Sequence, residues 1–214
     1  MSINLKRDQV HPEQAENWIL NILEEEKLTF NLFVPPIILQ KETYKNLAGE
    51  NENRLRIYLG LEAEKKEGRY VLCAYAVSSF LLGSGEVFRD YENPVVKLEK
   101  ENKNFSSKTA EVLNNIMRYQ QWRTGELDAE NEWARFRIFI YPKAYLLSKY
   151  ELHEIFNIQN KTEAQIGFGI SKSMNALIYP DVKDNRQSND QSMVFDFSDP
   201  CPPVCDESSI FNSK

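Results

Sequence analysis

The sequence has few of the residues, and none of the motifs, on which most active sites depend. Only two histidines occur among 214 residues, which leaves little material for a histidine-based metal centre or proton relay. The closely spaced glycines at 83–85 and 167–169 lack the remaining spacing and the lysine of a phosphate-binding loop. No Gly-Xaa-Ser-Xaa-Gly elbow is present. The sequence therefore predicts a protein without a catalytic role and without a cofactor.

Long apolar runs and a secretory pattern are missing as well. No window approaches the roughly 18 to 20 apolar residues that cross a bilayer, and residues 1–8 lead into a charged helix without an apolar stretch. Three cysteines, an odd number, are not typical of a secreted disulfide framework. The sequence therefore predicts a cytoplasmic protein with reduced thiols and no membrane association.

Positive charge is in deficit. The formal net charge is -6, and the charges are spread along the chain rather than gathered in one block. An acidic balance opposes general binding to nucleic acids, because lysine and arginine must neutralise the phosphates. We therefore expect no nucleic-acid partner.

Enough apolar residues remain for a sizeable folded core. Hydrophobic residues make up 42% of the sequence, a share typical of globular proteins. Apolar residues at helical spacing predict a helix at 12–26 with Trp18, Ile19 and Ile22 against a sheet. Alternating apolar residues on both sides of a Lys-Lys-Glu-Gly turn predict an antiparallel hairpin at 54–79.

The remaining patterns mix helices and strands without strict alternation. They predict helices at 37–48, 106–124 and 144–156, strands at 28–33 and 133–141, and short elements at 164–170 and 174–179. This mixture predicts an α+β fold with a mainly antiparallel sheet, packed helices and an extended C-terminal tail. We expect a single domain over 1–182 and a flexible tail over 183–214. Cys73, inside the hairpin, is expected to be a small buried hydrophobe.

Two strand-like segments carry the same arginine pattern. Each places apolar residues on one face and two arginines with an aromatic residue on the other. If the segments are neighbours, their guanidinium groups share a surface that could hold a phosphate or a carboxylate. The candidate anion-binding residues are Arg54, Arg56, Arg135 and Arg137. The alternative is a solvated face on which the arginines pair with local acids such as Glu62 or Glu64.

The tail keeps apolar residues that a solvated segment has no reason to keep. Val194, Phe195 and Phe197 follow a polar run, and each would gain roughly 1.5 to 3 kcal/mol on full burial. We expect them to anchor the tail, on its own domain or on a protein partner. Cys201 and Cys205 enclose a stiff Pro-Pro-Val segment, which we expect to follow as an accessible arm.

Three interpretations of the tail remain open: docking in a partner's groove, a disordered end, or metal or redox chemistry by Cys201 and Cys205. Soft thiolates bind Cu(I) and Zn. The Cys-Xaa3-Cys spacing resembles the copper-binding loop of Sco-type copper chaperones, which add a histidine and a thioredoxin-like core. The favoured hypothesis is a cytoplasmic adaptor whose tail docks on a protein partner, and the alternative is a thiol protein that binds copper or zinc or exchanges electrons.

Three parts of the chain together resemble a group of small proteins from Bacteroidota. They are Glu16–Ile19, Leu55–Tyr58, and Phe195–Phe197 followed by Cys201–Cys205. The resemblance covers both ends of the chain and little of its middle. It implies a bacterial protein of compact build with a Cys-Pro-Pro-Xaa-Cys tail, and it implies no activity and no site.

Overall fold

Two β-sheets packed face to face form the centre of the protein. The computed structural model describes residues 9–25, 31–50, 53–83, 87–100, 109–127, 140–180, 194–196 and 198–212. In these residues the strands are β1 (Gln9–Val10), β2 (Leu32–Phe33), β3 (Ile37–Gln40), β4 (Arg54–Lys66), β5 (Arg69–Leu81), β6 (Phe88–Asp90), β7 (Val96–Lys97), β8 (Ala144–Leu147), β9 (Glu163–Ile170), β10 (Met174–Tyr179), β11 (Val194–Phe195) and β12 (Ser198–Cys201). The helices are α1 (Pro12–Glu25), α2 (Lys41–Ala48), α3 (Thr109–Thr124) and α4 (Lys149–His153), which continues as a π-helical turn, Glu154–Ile158, while a 3-10 turn covers Ile210–Asn212.

The first sheet joins strands that are far apart in the sequence. Its order is β1-β11-β10-β9-β3, and every neighbouring pair is antiparallel. The second sheet has the order β12-β8-β4-β5-β2, and β6 and β7 pair with further parts of β5. Of the strand pairs that the structure describes, only β2 with β5 is parallel. The predicted α+β fold with a mainly antiparallel sheet is confirmed.

The main core lies between the inner faces of the two sheets. Side chains alternate along a strand, so β4 turns Ile57 into this core while Tyr58 faces the other way. The sheets are also joined by a hydrogen bond, because the Tyr145 hydroxyl of β8 donates to the Met174 carbonyl of β10 at 2.6 Å. Helix α1 covers the outer face of the first sheet, whereas α3 and residues 202–212 cover the outer face of the second.

Glycines in the sheets allow both covering helices to approach closely. A Cβ atom at Gly169 of β9 would lie 2.7 Å from the Cβ of Trp18 in α1. A Cβ atom at Gly60 of β4 would lie 3.1 Å from the backbone carbonyl carbon of Asn115 in α3. Carbon atoms do not approach this closely without displacement. A Cβ atom at Gly169 would therefore displace α1, and one at Gly60 would press tightly against α3.

The best-patterned elements form where the sequence predicts them. Helix α1 and the β4–β5 hairpin are present, and the hairpin turns at Glu67–Gly68. Trp18 and Ile19 contact the outer face of the first sheet, and Ile22 reaches the main core. Cys73 is buried in β5. The predicted orientation of α1 and the predicted burial of Cys73 are confirmed.

Two of the predicted helices are partly strands. The helix predicted at 37–48 is β3 followed by α2, and the helix predicted at 144–156 is β8 followed by α4. Each strand begins the segment with consecutive buried apolar residues, a pattern that does not distinguish a buried strand from a buried helix. The strand predicted at 133–141 lies almost entirely outside the described residues.

Candidate functional site

Residues 198–212, which we call the strap, pack on the second sheet: β12 forms an edge of the sheet, and residues 202–212 cover its outer face. β12 pairs with β8 along its whole length, and Cys201 and Phe211 are each 1% exposed. Both side chains complete the apolar cluster that α3 shares with Tyr58. For the described residues, this burial corrects the prediction of a flexible tail over 183–214 with an accessible cysteine-containing arm. It also places strands beyond the predicted domain boundary.

The predicted partner-binding residues are used within the chain. Val194 and Phe195 form β11, which pairs with β1 on one side and β10 on the other. Val194 packs in the cluster beneath α1, and Phe195 packs in the main core. Phe197 lies outside the described residues. Of the two expected anchoring surfaces, the chain's own domain is the one used, and Val194 and Phe195 are not available to a partner.

Cys201 and Cys205 form a disulfide, although the sequence predicts reduced thiols. The two cysteines are four positions apart, so the bond closes the Pro-Pro turn. The same turn is held by a hydrogen bond of 3.0 Å from the Val204 N–H to the Pro200 carbonyl. A disulfide sulfur is not a thiolate ligand. In the part of the chain that the structure describes, no group of three or more His, Cys, Asp or Glu side chains could hold a metal ion.

A buried ion pair lies beneath the strap. Arg56 Nε donates to Asp90 Oδ1 at 2.9 Å, and both side chains are fully shielded from water. The hydroxyl groups of Tyr58 and Ser79 also donate to this carboxylate. Burial, reinforced by the charge of Asp90, raises the pKa of Tyr58, so its hydroxyl keeps the proton that it donates. These three donors satisfy a carboxylate whose burial alone would be unfavourable.

The strap closes this network from outside. Arg56 Nη1 donates to the Val204 carbonyl, and the Asp90 backbone N–H donates to Asp206 Oδ2 at 2.8 Å. Burial acts to raise the pKa of Asp206, but the hydrogen bonds that it accepts from Asp90 and Ser208 outweigh this effect and lower the pKa. Asp206 is therefore a charged anchor that attaches the strap to β6.

The predicted anion-binding arginines are accounted for in two ways. Arg54 donates to Asp199 Oδ2 at 2.8 Å and to two backbone carbonyls of β8, and Arg56 is paired as described above. Arg135 and Arg137 lie outside the described residues. Both described guanidinium groups are held by carboxylates of the same chain, so neither is available to an external anion. Arg54 and Arg56 therefore follow the alternative interpretation, in which the arginines pair with acids of the same chain. The acids are Asp199 and Asp90 rather than the Glu62 or Glu64 named from the sequence.

The third cysteine lies in a small polar cluster on the same face of the sheet. Asn115 Nδ2 donates to the Tyr75 hydroxyl oxygen at 2.7 Å, and Cys73 Sγ lies 3.6 Å from that oxygen. Burial raises the pKa of Cys73 to about 12. Its thiol therefore stays protonated near neutral pH, where a thiol reacts poorly because the thiolate is the nucleophile.

The β5–β6 hairpin beside the strap carries the densest exposed apolar surface of the described residues. Phe80 and Leu82 share one face of the hairpin with Val87 and Tyr91, as the cross-strand register requires. We call these four residues the hairpin patch. Its three outermost side chains are 47% to 52% exposed, and Phe80 is half-buried. Leu81 has similar exposure, 50%, but points to the opposite face.

The hairpin patch is held in a fixed arrangement. The Leu82 N–H donates to the Val87 carbonyl at 2.9 Å, and the ring centroids of Phe80 and Tyr91 lie 4.6 Å apart. The strap also holds β6 in place, because Asp206 of the strap accepts a hydrogen bond from the Asp90 N–H of β6. The patch therefore presents apolar groups without first having to order them.

Sequence reasoning missed both the hairpin patch and the anchoring carboxylates. The patch does have a local signal, since alternating apolar residues flank a Gly-Ser-Gly break as they do in a hairpin. Asp90 and Asp206 have none, because their contact spans 116 positions in the sequence. A scan of protein-family models, a search of curated proteins and a search of solved structures each found no match.

Proposed function

We propose that this protein is a non-catalytic binding protein that contacts a protein partner through the hairpin patch. The observation that carries the proposal is the concentration of half-exposed Leu82, Val87 and Tyr91 on one face of one hairpin. Single exposed apolar residues are ordinary on protein surfaces, whereas grouped ones mark contact sites. Apart from Leu81 on the opposite face of the same hairpin, the other large exposed apolar residues in the described parts of the chain lie on other elements: Leu20, Met117, Ile140, Tyr150 and Ile158.

The chemistry around the patch favours a protein over a nucleic acid or a membrane. Arg89, which lies opposite Phe80, and Glu92, which follows Tyr91 in the sequence, place both signs of charge beside the apolar side chains, as polar groups do at a protein–protein interface. The net charge of -6 opposes binding to phosphates and to anionic lipid surfaces. In the described ranges, no helix is long and apolar enough to cross a membrane.

The polar groups beneath the strap support a structural role rather than a catalytic one. Arg56 and Tyr58 both donate hydrogen bonds to Asp90, and the strap covers all three residues. A catalytic acid or base needs access to a substrate and a pKa near the working pH. Burial instead raises the pKa of Tyr58 away from neutrality.

The test compares two substitutions at neighbouring positions. Leu82→Ser removes an apolar side chain from the patch, and Leu81→Ser removes one of equal size and exposure from the opposite face. Affinity capture from the native cells, with the full chain as bait, should recover a protein that the Leu81→Ser variant retains and the Leu82→Ser variant loses. Equal recovery by both variants, or recovery of no specific protein by the unaltered chain, contradicts the proposal.

The location of the protein is part of the proposal. Disulfides persist in oxidising compartments and are rare in the cytoplasm, where thiols are kept reduced. The bond between Cys201 and Cys205 therefore supports an oxidising compartment rather than the predicted cytoplasm. Denaturing acid lysis of the native cells, which preserves the redox state by protonating the thiols, followed by alkylation in denaturant at neutral pH tests this. Modification of Cys73 alone supports an oxidising compartment, and modification of all three cysteines supports the cytoplasm.

A further inference from the structure

The strap is attached in two unequal parts on either side of its disulfide. On the N-terminal side, β12 forms a ladder of four residue pairs with β8. On the C-terminal side, no ladder exists among the described residues, and the contacts are made by single groups of Val204, Asp206, Ser208, Ile210, Phe211 and Asn212. The disulfide between Cys201 and Cys205 joins the two parts.

From this arrangement we infer that the Cys201–Cys205 disulfide is a thiol-exchange site that acts as a clasp: while closed it holds residues 202–212 on the second sheet, and its reduction releases them. The inference concerns the strap itself and does not depend on whether the hairpin patch binds a partner.

Closing the turn matters because the described C-terminal part of the strap is held by separate contacts and not by a strand ladder. With the bond closed, the Val204 carbonyl is held against Arg56 by a turn of about five residues. The closed bond limits the conformations that the released turn can adopt. For so short a loop, the entropy estimate makes local opening about thirtyfold less favourable with the bond closed than with it reduced. Asp206 and Phe211 follow the turn directly, so any freedom that the turn gains is passed on to them.

The two sulfur atoms differ in their access to a reductant. Cys201 is 1% exposed, whereas Cys205 is half-buried at the margin of the same apolar cluster. A dithiol reductant is therefore expected to attack Cys205 with a thiolate, forming a mixed disulfide. Cys201 leaves with the electron pair of the broken S–S bond and takes up a proton.

The second thiol of the reductant completes the exchange. It attacks the mixed disulfide, closes the reductant's own disulfide and releases Cys205 as a thiolate, which takes up a proton. Overall, the protein gains two electrons and two protons, and the dithiol loses them. Cys73 does not compete in this exchange, because it is buried and burial raises its pKa to about 12.

Release of the strap also removes a support of β6. The Asp90 N–H loses its acceptor on Asp206, Arg89 loses the hydroxyl of Ser208, and Glu92 loses the N–H of Ile210. The consequence for β6 is measurable without any partner, as faster amide exchange over residues 87–92.

The test is hydrogen–deuterium exchange on the full chain, read by mass spectrometry, with and without dithiothreitol. Reduction should accelerate exchange over 202–212 by about ten- to thirtyfold and should leave α1 and β9 unchanged. The Cys201→Ser/Cys205→Ser variant should exchange fast in both conditions. The Cys73→Ala variant keeps the clasp and should respond to dithiothreitol as the unaltered chain does.

Three results overturn the inference. The first is a change of less than twofold over 202–212 when the bond is shown to be reduced. The second is acceleration throughout the molecule, which would make the disulfide a support of the whole fold rather than a local clasp. The third is a dithiothreitol effect that persists in the Cys201→Ser/Cys205→Ser variant, since the reductant would then act elsewhere.

Discussion

The guanidinium of Arg56 and the carboxylate of Asp90 meet at 2.9 Å in a site where neither side chain is exposed to water. The two residues come from β4 and β6, which do not pair with each other and are joined only through β5. The strap lies directly over this pair and contacts both of its members. The stability of the strap is therefore linked to a buried charge pair rather than to apolar contact alone.

Removal of one member of this pair should be strongly destabilising. Arg56→Ala leaves the Asp90 carboxylate buried without its counter-ion, so the free energy of unfolding should fall by about 3 to 5 kcal/mol. Arg54→Ala is the matched control on the same strand, since its partner Asp199 is 37% exposed, and its loss should be smaller because water screens that pair. Urea unfolding measures both values, and equal losses would contradict the proposed role of burial.

The close approach of α1 to β9 predicts that alanine substitutions at two glycines of this strand differ in their effect on the free energy of unfolding. Gly169→Ala places a Cβ 2.7 Å from the Cβ of Trp18, an atom fixed to the helix backbone. We expect a loss of about 1 to 3 kcal/mol in the free energy of unfolding. Gly167→Ala meets only the ring edge of the half-buried Tyr179, at 3.0 Å, and should lose less because that ring can move. Thermal or urea unfolding distinguishes these outcomes, and the reverse order would contradict the packing described for α1.

Asp196, between β11 and β12, predicts a pH dependence of stability. Burial raises the pKa of its carboxyl from 3.8 to about 6, so between these values the folded state binds the proton more tightly than the unfolded chain does. The stability that Asp196 contributes is full below about pH 4, falls as the pH rises towards 6 and is absent above it.

Asp196→Asn should remove this dependence. The asparagine does not ionise, so at pH 7 the variant should be more stable than the unaltered protein by roughly 1 to 3 kcal/mol. Below pH 4 the two should be nearly equal. The measurement is the free energy of unfolding by urea at a series of pH values. A difference that is constant across the series would show that the effect is not one of titration.

The burial of Phe211 predicts how much the apolar end of the strap contributes to the free energy of unfolding. Its ring centroid lies 5.3 Å from that of Tyr58, and the side chain is 1% exposed. Phe211→Ala should lower the free energy of unfolding by roughly 3 kcal/mol. Ile210→Ala, at a half-buried position beside it, should lower it by about 1 kcal/mol or less, because less apolar surface is returned to water. Similar values for both variants would mean that Phe211 is not the anchor.

The elements that could be predicted from the sequence are those with a complete local pattern. Helix α1 has a stripe of apolar residues with polar residues on its other faces, and the β4–β5 hairpin has alternation and a glycine-containing turn. By contrast, β3 and β8 are buried on both faces. Their apolar runs carry no period, and both segments were wrongly predicted to be helical.

The candidate site was less predictable because its contacts are non-local. The arginines of β4 were recognised, but the acids that pair with them come from β6 and β12, and no local pattern links these segments. The apolar residues of β11 were correctly expected to be buried, although the sequence could not decide between a partner and the chain's own sheet. Reduced thiols were wrongly predicted for Cys201 and Cys205, because that prediction rested on the expected compartment and not on the geometry of the turn.

The position of β11 between β1 and β10 has a consequence for biosynthesis. In the described sheet, β1 has no neighbour until residues 194–195 have been made, and the surface that receives α1 is formed by β9 and β10. At roughly 5 to 20 residues per second, these strands leave the ribosome on the order of ten seconds after α1. During that interval the apolar stripe of α1 has nothing to pack against, and the nascent chain presents it to any chaperone at the exit tunnel.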